Sequence, residues 1–88
     1  MIGDPLSAAT SDRLSRMFRI AVIHSDEVAD IGRAATALDK TGRAGNGSLY
    51  LRNLLDRMSQ MSNDDTLRLT HEERVSLYVA SKVLIRAN

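Results

Sequence analysis

The stretch TGRAGNGSLYL, residues 41–51, holds the spacing with the most chemical promise. Gly42 and Gly47 occupy the two glycine positions of G-x-x-x-x-G-K-[ST], the loop whose backbone amides wrap nucleotide phosphates. That chemistry also needs a lysine to neutralise charge and a hydroxyl to hold magnesium. Here Ser48 takes the lysine position and Leu49 the hydroxyl position. A strand must precede such a loop, whereas residues 28–39 read as helix. The stretch is therefore expected to be a joint between helices, tolerant of an alanine at Gly45, and no nucleotide or other cofactor is expected.

His24 and Glu27 stand three residues apart, a spacing at which a histidine and a carboxylate on one helical face ligate a metal. A site needs a third and a fourth ligand. The only other histidine, His71, falls in a predicted helix cap facing water. No metal is expected. No catalytic residues are expected either, because no strained nucleophile turn brings a serine and a histidine together. A third constellation is Arg13, Arg16 and Arg19, stepping by three along a helix as candidate phosphate contacts, with Arg52 and Arg57 as an extension. Carboxylates are interleaved: Asp12 is placed to pair with Arg16, and Asp56 adjoins Arg57. This face reads first as solvated surface and only second as a nucleic-acid interface.

These residues must be positioned by a small core. The chain has 88 residues, 43% of them hydrophobic, but its aromatics are only Phe18, Tyr50 and Tyr78. The core must therefore be aliphatic, and a chain this short buries a modest fraction of its surface. Net charge is +1, so no global field selects nucleic acid or an anionic membrane. There are no cysteines, which excludes thiolate chemistry and disulfides. The longest apolar run, Ile20-Ala21-Val22-Ile23, is too short for a membrane span or a signal-peptide core, and a cytoplasmic location is expected. Ten arginines against two lysines suggest a GC-rich bacterial or phage genome.

The patterning predicts an all-α fold, a small three-helix bundle. Residues 1–10 read as a flexible tail and 11–88 as a single helical domain, although Asp4-Pro5 offers an earlier helix start. Leu14, Met17, Ala21, His24, Val28, Ile31, Ala35 and Leu38 form a heptad seam, which predicts one long helix over about 11–39. A bend near residues 24–26 is the alternative, with Ser25 as a cap and Asp26, Glu27 and Asp30 near a new N-terminus. Gly32 inside that helix suggests close approach of another backbone. A second helix is predicted over about 48–61, capped by Ser48. A third is predicted from the capping box Thr70-His71-Glu72-Glu73 to about Ala87. DRLSRM at 12–17 and DRMSQM at 56–61 read as a coincidence of two solvated turns.

The third predicted helix is apolar around more than half its circumference, so part of it is expected to stay uncovered within the monomer. Tyr78, Val79, Leu84 and Ile85 are the candidate partner-binding residues. The expected function is a non-catalytic protein–protein interaction module that forms a homodimer or docks on a partner protein, with no membrane role. The alternative is a small nucleic-acid-binding regulator using Arg13, Arg16 and Arg19.

Overall fold

The computed structural model describes residues 5–41, 45–62 and 65–86, with side chains between 8 and 84 within those ranges. Six elements and a short 3₁₀ turn follow in order: α1 (Pro5–Ile20), β1 (Val22–His24), the 3₁₀ turn (Ser25–Glu27), α2 (Val28–Thr41), α3 (Gly47–Met58), β2 (Thr66–Arg68) and α4 (His71–Arg86). The chain is not a three-helix bundle. It is a predominantly helical globule of four helices with a small antiparallel sheet, in which Val22, Ile23 and His24 pair with Arg68, Leu67 and Thr66.

The long first helix fails at Ala21, whose φ of 60° places it in the left-handed region. Its amide still donates to the Met17 carbonyl at 2.8 Å, so Ala21 ends α1 as a left-handed cap of the kind glycine usually supplies. The next two residues favour a strand, because Val22 and Ile23 are β-branched and lose side-chain freedom in a helix. The chain turns helical again where Glu27 accepts the His24 amide at 2.8 Å, with Asp26 and Glu27 in the first turn. The ends of the heptad seam are core: Leu14, Met17, Ile31, Ala35 and Leu38 are all buried. Its middle is not, since His24 and Val28 are exposed, and Ile23, off the seam, is fully buried.

Other expectations move as well. The first helix starts at Pro5 rather than Ser11, and Thr10 and Ser11 are buried. Helix α3 starts at Gly47 behind Asn46, not behind Ser48. A Cβ built on Gly32 meets nothing within 4 Å, so that glycine serves no close backbone approach. Gly45 has a φ of 57°, where alanine is strained, which overturns the expectation of a tolerant joint at that position. Gly42 and Arg43 lie outside the described residues. The capping box stands as read: Thr70 Oγ1 accepts the Glu73 amide at 3.2 Å, and a Glu73 carboxylate oxygen accepts the Thr70 amide at 2.9 Å.

The two halves repeat. Helix–strand–helix runs from Pro5 to Thr41 and again from Gly47 to Arg86. Asp12 and Asp56, which open the two similar segments, are 44 residues apart, and so are the paired strand centres Ile23 and Leu67. The sequence echo therefore coincides with the structural repeat, and Leu14, Met17 and Met58 within it are buried rather than solvated. The closest helix pairings run between halves, α1 on α4 and α2 on α3. A single core of Leu14, Met17, Ile23, Ile31, Leu38, Leu51, Leu54 and Leu77 fills the space between them. Polar contacts add to the α1–α4 seam: Ser11 donates to the Ser81 carbonyl at 2.7 Å, and Arg74 donates to the Phe18 carbonyl at 3.0 Å while lying 5.2 Å from the Phe18 ring.

Candidate functional site: the outer face of the last helix

Helix α4 contacts each of the other three helices, so its inner face is fully committed to the core. Leu77 and Ala80 are wholly buried, and Val83 and Leu84 are partly buried against the same core. The outer face carries Glu72, Val75, Tyr78, Val79 and Lys82, spaced three and four apart, all exposed. Three of these are large apolar side chains: Val75 at 42% exposure, Tyr78 at 44% and Val79 at 38%. Tyr78 leans on Phe18 of α1, with ring centroids 5.1 Å apart, and Lys82 Nζ lies 5.2 Å from the Tyr78 ring centre. The ring is thus held in place with one side still open to water.

Beside this stripe runs a groove of about 230 Å³, lined by Leu38 of α2, Asn46, Gly47 and Tyr50 at the start of α3, and His71, Glu72, Val75, Ser76 and Val79 of α4. Its walls are largely aliphatic and aromatic, with polar groups at the ends. The Ser76 hydroxyl donates to the Glu72 carbonyl at 2.8 Å, so it is turned back on its own helix.

Of the sequence-predicted partner residues, Tyr78 and Val79 stand on this outer face. Leu84 is partly buried against the core, and the side chain of Ile85 lies outside the described residues. Val75 and Tyr50 complete the apolar surface. Val75 has the same three-to-four spacing as Val79, so its place was open to sequence reasoning. Tyr50 was not, because only the α3–α4 packing brings it alongside.

The arginine face is a different kind of surface. Arg13 makes a forked pair with Asp30 of α2, both contacts at 2.9 Å, and also donates to Thr10 at 3.3 Å. The Asp30 carboxylate raises the Arg13 guanidinium above its ordinary value, chiefly through those hydrogen bonds. Arg16 lies 4.0 Å from Glu27, not paired with Asp12, while Arg19 is exposed and makes no ion pair among the described residues. Arg13 and Arg16 border an open cleft of about 630 Å³ whose lining also includes His24 and the carboxylates of Asp26, Glu27, Asp30 and Asp65. A phosphate entering there meets four carboxylates. On α3, Arg57 donates to both carboxylate oxygens of Glu73 at 2.6 Å and Arg52 pairs with Asp39, so these cations are also engaged by the protein itself.

His24 and Glu27 fall in the β1–α2 junction rather than on one helix. The described residues assemble no group of three His, Cys, Asp or Glu able to hold a metal ion. No described helix is long and apolar enough to cross a membrane.

No family model, curated protein or solved structure matches this chain. The outer face of α4 combines an apolar stripe with charged ends and an open, largely apolar groove beside it.

Proposed function

We propose that this chain is a small, non-catalytic helical protein–protein interaction module acting through the outer face of α4. The observation that carries the reading is the contiguous exposure of Val75, Tyr78 and Val79 beside the groove walled by Leu38 and Tyr50. Contiguous apolar surface of this kind is kept out of water in most soluble proteins unless something covers it. Aromatic and aliphatic anchors next to a pocket, ringed by polar groups such as Asn46, Glu72 and Lys82, match the usual anatomy of interface centres. The nucleic-acid alternative, through Arg13, Arg16 and Arg19, is less well supported, because carboxylates already occupy the neighbourhood of the first two.

Val79→Glu tests the reading. Val79 is outside the core, so the variant folds with the same circular dichroism spectrum. The expected result is that wild type migrates as a complex, with itself or with a copurifying protein, and Val79→Glu as a lone chain. A wild type that remains a single chain at high concentration, with no protein copurifying from its source cell, overturns the proposal.

A further inference from the structure

The outer stripe of α4 has an internal symmetry. Glu72 and Lys82 lie five residues on either side of Leu77, and Val75 and Val79 lie two residues on either side. All four are exposed on the same face, whereas Leu77 itself is buried beneath it. When two copies of such a helix pack antiparallel about a twofold axis over Leu77, residue 72 of one meets residue 82 of the other, and 75 meets 79. Each acidic end then faces a basic end, twice per pair, and the valines meet in the middle.

From this complementarity we infer that the occupant of the α4 face is a second copy of this chain, bound antiparallel through a twofold axis near Leu77. The inference rests on the interaction-module reading and specifies its partner. Twofold pairing requires a surface that complements itself, and this stripe is complementary in both charge and apolar pattern. A parallel pairing would place Glu72 on Glu72 and Lys82 on Lys82, with repulsion at both ends. The distance from Glu72 to Lys82 is about 15 Å along the helix at ~1.5 Å per residue, so the two charged contacts bracket a compact apolar centre. The groove extends this centre sideways, since Val75 and Val79 are also its wall. Lys82 is already drawn over the Tyr78 ring, which keeps its ammonium at the stripe rather than free in solvent.

Sedimentation equilibrium of the full chain and two charge variants tests the arrangement. Glu72→Lys makes both ends of the stripe basic, and Lys82→Glu makes both acidic. Each variant alone faces like charges at both ends of the pair, so each is expected to dimerise at least ~10-fold more weakly than wild type at low salt. An equimolar mixture restores opposite charges at both ends and is expected to form a heterodimer with affinity within about 3-fold of wild type, the differences shrinking as salt screens them. Both side chains are exposed, and circular dichroism checks that both variants are folded. If both single variants dimerise as wild type does, or if mixing restores nothing, the antiparallel register is overturned while association itself stands. If wild type is a single chain at every concentration, the second-copy occupant is overturned, and copurification decides separately whether another protein covers the face.

Discussion

Replacing Leu77 by alanine is expected to cost the fold about 3 kcal/mol, within the range of roughly 2–5 kcal/mol seen when a fully buried leucine is truncated. Leu77 has no exposed surface, and it sits on the helix that contacts all three others. The vacated volume is bounded by side chains from several elements, none of which can move in without leaving its own packing. A chain of this size has a total stability of roughly 4–13 kcal/mol, at ~0.05–0.15 kcal/mol per residue. The variant therefore unfolds at markedly lower denaturant. Val79→Ala, two residues along, removes an exposed side chain and shifts stability by less than about 0.5 kcal/mol. Urea unfolding of the two variants separates the faces of α4. A loss below about 1 kcal/mol for Leu77→Ala would contradict its place in the core.

The second large effect is expected at Arg57 and Glu73. The Glu73 side chain is 5% exposed and accepts from both the Arg57 guanidinium and the Thr70 amide, so one carboxylate ties α3 to α4 and closes the cap of α4. Arg57→Met leaves that carboxylate buried with one partner fewer. Breaking a fully buried pair costs about 3–5 kcal/mol, but Arg57 is 39% exposed and water tempers the loss, giving about 2 kcal/mol. A double-mutant cycle of Arg57→Met with Glu73→Gln is expected to show a coupling of about 1–2 kcal/mol, measured by chemical unfolding. Coupling below about 0.3 kcal/mol would mean the pair is not held together in solution.

The position of Arg57 has a counterpart. Arg13 stands at the matching place in the first half and ties α1 to α2 through Asp30, as Arg57 ties α3 to α4 through Glu73. The two arginines lie in the segments DRLSRM and DRMSQM, so the echo marks a shared structural task. It was visible in the sequence, but its meaning depended on the strands. A strand of three residues leaves almost no period to detect, and Val22-Ile23 within a heptad seam reads equally well as the middle of a helix. The seam misled for the same reason: Ala21, His24 and Val28 satisfy its spacing without supplying an apolar knob at each position.

The legible features had local causes. The capping box at Thr70 and Glu73 is closed within four residues, and the buried positions of α3 follow its period at Leu51, Leu54 and Met58. The surplus of apolar surface on α4 was legible too, as a count of faces needing cover. Which residues stayed uncovered was not, because that depends on the crossing of α1 and α3 over α4. Leu84 and Val79, five residues apart and so on different sides of the helix, are both expected at the partner surface, yet one packs against the core and the other faces water.

The central claim is that the outer face of α4 is where this chain meets its partner, and the most direct measurement is an amide NMR dilution series of the native chain. The expected result is that signals shift with concentration for Glu72 to Lys82 and for Asn46 and Tyr50 at the groove, while those of Arg13, Arg16 and Arg19 stay fixed. Concentration-dependent shifts centred on the arginine face, with α4 unmoved, would contradict the account.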